Sequence, residues 1–435
     1  MSPYKSIEYI KVWCWGEYVG GLVLDPKFNV YIFEYTPKWI ASRVELSPLH
    51  MPLRKGTFYF PHLSRESFYG LPAMIADSLP DDFGNAVIDA WLAGQGVEKN
   101  QISALDRLSY AGDRAIGALS FEPSLNDTPV EATAIQIADI VAQARLLLAH
   151  KARQSESTHE TLTQLIQVGS SAGGARAKAV VLFNPQTEQI RSGYVNAGAG
   201  FEPWILKLDG VTEAADGSQN SLESPGQFTR IEYAYYLMAM AAGVEMSECR
   251  LLNEGSRAHF ITRRFDRDAS GERIHQQSLC AMDQLDFRLK DTHSYSQYFN
   301  VIKNLDLGIG ALSQGFRRMV FNVVAMNRDD HTKNFAFLLP KNGKWQLSPA
   351  FDVTHAFNPQ GQWTQRHQMN VNSKFEGVTR SDLEIMGDTF GIPKYRTAID
   401  EVVDAVNDWA TYAGQSGVGS ISTERIARAI SEHQI

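Results

Sequence analysis

The chain has 435 residues, a length that corresponds to two or three domains and excludes a peptide or a single small module. Apolar residues make up 44% and charged residues 21%, which excludes a mainly disordered, collagen-like or disulfide-scaffold chain. Its 41 lysines and arginines face 49 aspartates and glutamates, for a net charge of −8, so nucleic acid is not expected as a direct partner.

The cysteines and the opening residues indicate the cellular compartment of the protein. Cys14, Cys249 and Cys280 lie far apart and lack the C-x-x-C spacing of a zinc site, which fits a reducing environment. The opening residues carry charges and aromatic rings where a secretory signal has an apolar core. No apolar run approaches the ~20 residues of a membrane span. We therefore expect a cytoplasmic protein with no membrane partner.

The first third of the chain predicts a small α+β unit. Residues 8–35 contain three short β-branched and aromatic runs separated by turn residues, the pattern of antiparallel strands. Residues 73–95 have helical apolar spacing in their second half and end in glycines, which indicates a helix stop. Residues 118–131 return to a strand and then run into Pro, Ser, Asn and Asp, so we place a boundary near residue 128.

The remaining two thirds change character several times. Residues 131–167 carry a helical apolar stripe, which indicates a helix that faces a core. Two strand-like runs then surround a glycine-rich loop and precede a helical run at 228–244. The last third is mostly helical, and a Lys-Asn-Gly-Lys segment between two apolar runs predicts a hairpin within it.

The strongest local feature is the polar run NRDDHTKN at 327–334. Asp329 and Asn334 have the D-x-x-x-x-N spacing of a kinase catalytic loop, in which the aspartate accepts the proton of the attacking hydroxyl and the asparagine binds magnesium. The spacing favours Asp329 over Asp330. Asp352, beyond the predicted hairpin, takes the place of a second magnesium-binding carboxylate, although no glycine follows it as in a DFG motif. A solvated helix end and an ordinary turn are the alternative.

Two features upstream fit a nucleotide. Residues 170–178 read SSAGGARAK, whose small residues allow close backbone approach and whose N–H groups can cradle phosphate. This is not a Walker A loop, because the spacing from Gly174 to Lys178 is too short and no Ser or Thr follows. Lys207 interrupts an apolar strand and needs an anionic partner, either nucleotide phosphates or Glu232 on the next helix. A flexible linker and a solvated edge strand are the respective alternatives.

A competing motif predicts a serine hydrolase. Residues 169–173 satisfy G-x-S-x-G with Ser171 as the nucleophile, and Asp352 with His355 or His367 supplies the Ser, Asp, His order. The nucleophile elbow requires a strand, a turn and a helix, whereas here a helical segment precedes the loop and a strand-like segment follows it. The hydrolase is therefore a minor alternative.

In combination, these segments resemble a known family. SSAGGARAK, WILKLD, IEYAYYLM, TRRFDRD, NRDDHTKN and SPAFDVT, in this order, resemble the HipA-type serine/threonine kinases, toxins of bacterial toxin–antitoxin modules. ADSLPDD and DRLSYAGDRAIGALSF resemble the N-terminal subdomain of that family. The resemblance implies an α+β chain in which a sheet-and-helix subdomain at 1–128 precedes a protein-kinase-like core. That core has a nucleotide-covering lobe at 129–265 and a largely helical catalytic lobe at 266–435.

The resemblance also implies roles for individual residues. Asp329 matches the catalytic aspartate, and Asn334 and Asp352 match the magnesium ligands. The positions that match nucleotide-binding residues are Ala172, Gly173, Gly174, Ala175, Lys207, Arg263, Phe265, His331, Asn334 and Asp352. Ser171, with Ser170 beside it as a rival, matches the serine that these kinases autophosphorylate to switch themselves off.

The implied reaction is transfer of the γ-phosphoryl group of ATP, with Mg²⁺, to a serine or threonine of a protein. Relatives attack aminoacyl-tRNA synthetases, so a translation-related substrate is expected. A HipB-like helix-turn-helix antitoxin is the expected partner, and DNA is contacted only through the complex with it. The alternative function is a catalytically weak binding module that acts as a corepressor with that antitoxin.

Overall fold

The computed structural model describes residues 6–125, 141, 178–191, 200–209, 227–433 and 435. The chain forms two compact units, the first from residues 1–218, 263–277 and 339–343 and the second from residues 219–262, 278–338 and 344–435. The boundary predicted near residue 128 lies outside the described residues, as does the helix predicted over 131–167 apart from residue 141. Of the helices within the described ranges, none is long and apolar enough to cross a bilayer.

The first unit opens with an antiparallel sheet, whose strands are β1 (Tyr9–Cys14), β2 (Glu17–Asp25), β3 (Val30–Tyr35), β4 (Thr57–Phe58) and β5 (Leu119–Glu122). The strand order is β4-β3-β2-β1-β5. Alternation along β1 buries Ile10, Val12 and Cys14 and exposes Tyr9 and Lys11, so one face of the sheet covers the core. The three antiparallel strands predicted over residues 8–35 are confirmed.

The described part of this unit also contains short helices, some of which are capped by side chains. They are α1 (Pro37–Ser42), α2 (Arg65–Phe68), α3 (Ala73–Ala76), α4 (Asp82–Ala93) and α5 (Ala104–Ala111). Asp81 caps α4, because its side chain accepts the Gly84 N–H at 2.7 Å. Ser103 and Asp106 form a reciprocal capping box at the start of α5. Helix α4 ends just before Gly94, as its sequence predicts.

A second antiparallel sheet in the first unit places β6 (Lys178–Phe183) between β7 (Ile190–Arg191) and β8 (Glu202–Lys207). All residues of β6 are buried. The register sets Lys178 opposite Lys207 and Phe183 opposite Glu202. Both strands were predicted from the apolar runs around the glycine-rich loop, and both are confirmed.

Residues 263–277 also belong to the first unit, and Arg273 ties them to the N-terminal sheet. Its Nε donates to the Gly117 carbonyl at 2.9 Å. Its Nη2 donates to the carbonyls of Ala115 at 3.0 Å and of Leu119 at 2.7 Å. A guanidinium with a fixed fork of donors can satisfy three carbonyls that converge in this way. The turn before β5 is therefore held by a side chain about 150 residues later in the sequence.

The second unit is mostly helical. Its described helices are α6 (Phe228–Ala241), α7 (Leu279–Met282), α8 (Tyr295–Asn304), α9 (Gly308–Val324), α10 (Arg380–Phe390), α11 (Tyr395–Asn407), α12 (Trp409–Gln415) and α13 (Ser420–Glu432). The described strands after α6 are β9 (Cys249–Glu254), β10 (Arg257–Arg263), β11 (His275–Ser278), β12 (His293–Ser294), β13 (Ala336–Leu339), β14 (Gln346–Leu347) and β15 (Met369–Asn370). Most of β11 belongs to the first unit.

Two pairings in the second unit bear directly on the sequence predictions and on the site. Strands β13 and β14 are antiparallel, which confirms the hairpin predicted around Lys-Asn-Gly-Lys. Strands β12 and β15 pair in parallel, so the segment that ends near residue 370 lies beside the start of α8. The predicted α+β class with a largely helical C-terminal lobe is confirmed.

Helix α9 leads from the core of the second unit to the polar run. Phe316 and Phe321 on α9 are at most 1% exposed. The hydroxyl of Tyr235 donates to the Ala325 carbonyl at 2.6 Å, just beyond the end of α9. Met326 then has a φ of 58°, in the left-handed region that non-glycine residues seldom adopt. The chain thus leaves the helix abruptly, and polar groups follow.

Candidate active site

The polar run after α9 is anchored at both of its ends. Asn327 forms a parallel bridge with Ala356, and the Arg328 N–H donates to the Ala356 carbonyl at 3.3 Å. At the other end Thr332 begins a turn of 3-10 helix, and its hydroxyl donates to the Leu285 carbonyl at 2.8 Å. The loop between these anchors therefore has a fixed backbone path.

Asp329, His331 and Asn334 come together in this loop. The Asn334 Nδ2 donates to the backbone carbonyl of Asp329 at 2.8 Å, which closes the D-x-x-x-x-N segment on itself. The Asp329 side chain is 46% exposed, and its Oδ1 lies 3.7 Å from Nε2 of His331. The oxygen of the Asn334 carboxamide is the atom that can bind a cation, and the bond to Asp329 uses only the nitrogen.

Asp330, the neighbour of Asp329, is buried and has a different environment. Its carboxylate accepts hydrogen bonds from the Tyr295 hydroxyl at 2.7 Å, from Nδ1 of His367 at 2.9 Å and from the Gln368 N–H at 2.8 Å. Both oxygens are used, and none of the side chain is exposed. The two adjacent carboxylates thus differ in environment, since Asp330 is buried and anchors the loop, whereas Asp329 faces the surface.

The anchor of Asp330 continues into a chain of buried hydrogen bonds. Asn322 on α9 donates from Nδ2 to the Tyr295 hydroxyl at 3.0 Å, and Asn327 donates from Nδ2 to Oδ1 of Asn322 at 2.9 Å. This network joins α8, α9 and the start of the loop to Asp330. Its only signal in the sequence is the second carboxylate beside Asp329, and that signal does not identify the donors.

Asp352 lies on the segment to which the loop is attached. The bridge between Asn327 and Ala356 joins the two segments four residues after Asp352 and two residues before Asp329. Asp352 has a φ of 53°, a left-handed conformation that costs energy for an aspartate and so must be imposed by its surroundings. The backbone thus brings together the two segments that carry the predicted carboxylates.

The donor set fits a magnesium ion that arrives with a nucleotide. The Asn334 carboxamide oxygen and the Asp352 carboxylate are hard oxygen ligands, which Mg²⁺ prefers. Within the described ranges, no group of three or more His, Cys, Asp or Glu residues could hold a metal by itself. A kinase site does not require one, because Mg²⁺ is held there by one or two carboxylates together with the phosphates.

The two histidines of the hydrolase hypothesis have other environments. Nδ1 of His367 is hydrogen-bonded to Asp330, rather than to Asp352 as a Ser-Asp-His triad would require. Burial, and after it the charge of Arg328, lower the pKa of His355 to about 4. Ser171 lies outside the described residues. The geometry of His367 therefore argues against the triad.

The residues predicted on the nucleotide side are spread over both units. Lys207 ends β8 and is partly buried, and Phe265 is partly buried as well. Nε of Arg263 lies 3.0 Å from Oε2 of Glu202, with 41% and 35% of the side chains exposed. Glu232 on α6 is 3% exposed, and its pairing with Lys207 stays a prediction. The predicted residues outside the described ranges are Ser170, Ser171, Ala172, Gly173, Gly174 and Ala175.

Asp266, directly after Phe265, is a buried anchor of the first unit. Its Oδ2 lies 2.6 Å from Nη2 of Arg264 and 2.9 Å from Nη1 of Arg267, and it accepts the Gly117 N–H at 2.8 Å. Although burial raises the pKa of Asp266, the two arginines lower it to a value well below the usual one. Gly117 has a φ of 75°, and a Cβ there would lie 2.8 Å from a backbone nitrogen. Only glycine permits this approach.

Comparison with protein families gives matches to both parts of the chain. The family model described as the HipA-like C-terminal domain matches residues 170–410, which include the polar loop and the Asp352 segment. The model described as the HipA N-terminal domain matches residues 10–122, which include the first sheet and helices α1 to α5.

Individual relatives and a solved structure agree with these matches. A Haemophilus influenzae protein named "Putative kinase" is 29% identical over 201 residues, covering 39% of this chain and 58% of that protein. "Putative kinase Y4mE" of Sinorhizobium fredii is 24% identical over 427 residues, covering 92% of this chain and 90% of that protein. The structure of Shewanella oneidensis HipA with HipB and operator DNA superposes with a TM-score of 0.65 at 14% identity, covering 98% and 95% of the two chains. The chain thus has the fold of that protein.

Proposed function

This chain belongs to the HipA-like family, and on that premise we propose that it is an ATP-dependent kinase that phosphorylates serine or threonine residues of a protein. The observation that carries the proposal is the loop closed by the bond from Asn334 to Asp329 and joined to the Asp352 segment. Phosphoryl transfer needs a carboxylate that receives the hydroxyl proton and oxygen ligands for a metal at the phosphates. These residues supply both.

In the proposed reaction, Asp329 orients the acceptor hydroxyl and takes its proton while the oxygen forms a bond to the γ-phosphorus. The bond from that phosphorus to the β,γ-bridging oxygen breaks, and ADP leaves. A magnesium ion held by Asn334 and Asp352 would neutralise charge on the phosphates. The buried bonds of Asp330 fix the backbone that carries Asp329, so the base is positioned before the substrate binds.

We propose that phosphorylation of the glycine-rich loop at Ser171, or at Ser170, inactivates the kinase. A phosphate adds about −1.5 to −2 charges at neutral pH, and it would repel the phosphates of ATP in a loop that holds them. If protein shown by intact mass to be fully phosphorylated bound Mg·ATP as tightly as the unmodified protein, this mechanism would be wrong.

We propose a HipB-like helix-turn-helix antitoxin as the partner, because the solved HipA to which the chain is similar was found with HipB and operator DNA. With a net charge of −8, this chain is expected to contact DNA only through that partner. A translation-related protein, such as an aminoacyl-tRNA synthetase, is the proposed substrate on the family resemblance. Corepression with little catalysis is the second candidate function, favoured by the same complex.

The test is phosphoryl transfer by wild-type protein and by Asp329→Asn. Both proteins are incubated with Mg·ATP and a bacterial extract, and phosphopeptides are mapped by mass spectrometry. The wild type should modify itself and a substrate, whereas Asp329→Asn should lose on the order of 10²–10⁴-fold in rate, the usual contribution of a general base, and still bind nucleotide. Transfer retained by Asp329→Asn would reject the assignment. No transfer by the wild type would favour corepression.

A further inference from the structure

A buried ion pair in the first unit joins the N-terminal helices to the strand beside Lys207. Nζ of Lys178, the first residue of β6, lies 3.6 Å from Oδ2 of Asp81. The two side chains are 5% and 1% exposed. The other oxygen of Asp81 accepts the Gly84 N–H at 2.7 Å and so caps α4. One carboxylate therefore serves both a helix and a strand from distant parts of the chain.

The pair is costly to bury and costly to break. Burial raises the pKa of Asp81 to about 6, although the charge of Lys178 opposes that rise. A pKa of about 6 still lies below neutral pH, so the Asp81 carboxyl group is mostly ionised there and faces the ammonium. Removal of one partner leaves a charge with almost no access to water, a change that is strongly destabilising in measured cases. The position of Lys178 thus depends on Asp81.

The location of the pair connects it to the predicted nucleotide lysine. Lys178 lies directly opposite Lys207 in the antiparallel pair of β6 and β8. Side chains at opposed positions project from the same face of a sheet, with Cβ atoms about 5 Å apart. Like charges at such positions repel each other, and the Asp81 carboxylate offsets that repulsion.

We propose that Asp81 is a positioning residue for the nucleotide, which holds Lys178 and thereby β6 in the register that sets Lys207 at the phosphates. The inference rests on the proposed kinase function, and it gives residues of the HipA N-terminal domain match a part in nucleotide binding. Lys178 acts here as a structural partner and not as a phosphate ligand. Its side chain is 5% exposed, and its ammonium already faces a carboxylate.

A double-mutant cycle tests the proposal. The dissociation constant of a magnesium-bound, non-hydrolysable ATP analogue is measured by calorimetry for wild type, Asp81→Asn, Lys178→Met and the double variant. Asparagine can still cap α4, so Asp81→Asn removes the charge and keeps the cap. Asp81→Asn should weaken binding by about tenfold, because it leaves the ammonium unpaired. The double variant, which has a neutral pair of similar volume, should regain most of that loss.

Asp89→Asn is the matched control. Asp89 lies on α4, the helix that Asp81 caps, and it pairs with Arg107 at 2.7 Å and with Lys99 at 3.2 Å. Its loss should therefore change stability without changing nucleotide affinity. Equal binding by wild type and Asp81→Asn would overturn the inference alone. A double variant as weak as Asp81→Asn would also overturn it, because Lys178 would then act directly. Lys207→Met is the control that should lose nucleotide binding. A wild-type protein that binds nucleotide no better than this control would overturn the proposed function, and this inference with it.

Discussion

The substitution Asp330→Asn should destabilise the protein, whereas the same substitution at Asp329 should not. Asparagine keeps one acceptor oxygen, which can still bind the Gln368 N–H. In place of the other oxygen it presents an NH₂ group to the Tyr295 hydroxyl and to Nδ1–H of His367. These two donors now contact the carboxylate at 2.7 and 2.9 Å in a site with no exposure. Asp330→Asn therefore breaks two charge-assisted hydrogen bonds.

The size of the effect follows from those contacts. A hydrogen bond to a charged group contributes about 1.5–3 kcal/mol, so two such bonds together contribute about 3–6 kcal/mol. We expect a loss of about 4 kcal/mol in the free energy of unfolding. The unit that contains Asp330 has roughly 200 residues, for which each kcal/mol lowers Tm by about 2–4 °C, so Tm should fall by about 10 °C.

Scanning calorimetry of the two variants is the measurement. Asp329 is 46% exposed, and substitutions at such positions change stability by about 0.5 kcal/mol or less, so Asp329→Asn should melt within about 2 °C of wild type. The two variants should thus differ in the property that they lose. Asp329→Asn should lose activity and keep its stability, whereas Asp330→Asn should lose stability. An Asp330→Asn protein with an unchanged Tm, or an Asp329→Asn protein with a much lower one, would refute the division of roles.

Two further outcomes are expected. Asp352→Asn should raise the Mg²⁺ concentration that gives half-maximal transfer at saturating ATP by at least about tenfold. Even the loss of a residue that only contacts a metal ligand costs about 10–100-fold in metal affinity. An unchanged magnesium titration would show that Asp352 is not a metal ligand. Burial lowers the pKa of His275 to about 4, so its contribution to stability is present above the unfolded pKa of 6.5 and is lost as pH falls towards 4. His275→Gln can keep the hydrogen bond to the Leu46 carbonyl and should reduce the pH slope of the unfolding free energy by up to about 1.4 kcal/mol per pH unit in that window, measured by urea denaturation. An equal slope in both proteins would contradict this.

Local pattern predicted much of the fold because the relevant forces act over short stretches of chain. The alternation along β1 and the glycines after α4 determine those elements from within a few residues. The spacing of Asp329 and Asn334 likewise predicts a loop that can close on itself, and the bond between them is local. Such features depend on neighbours in sequence.

The remaining features depend on neighbours in space, and the sequence contains no periodic trace of them. Asp330 meets His367 across 37 residues, and Asp81 meets Lys178 across almost a hundred. Nothing in the two Asp-Asp dipeptides at 81 and 329 tells which carboxylate will be buried. The tertiary contacts decide this, since only they supply the donors that make burial of a charge tolerable.

The convergence of Arg273 on three carbonyls at residues 115 to 119 has a consequence for how this chain can be shortened. A shortened chain that starts after residue 128 would retain the guanidinium and lose all three acceptors at once. The segment up to residue 128 therefore cannot be removed without loss of hydrogen bonds in the rest of the chain. It completes the hydrogen bonding of the part that follows, so in this chain the two parts are expected to fold together.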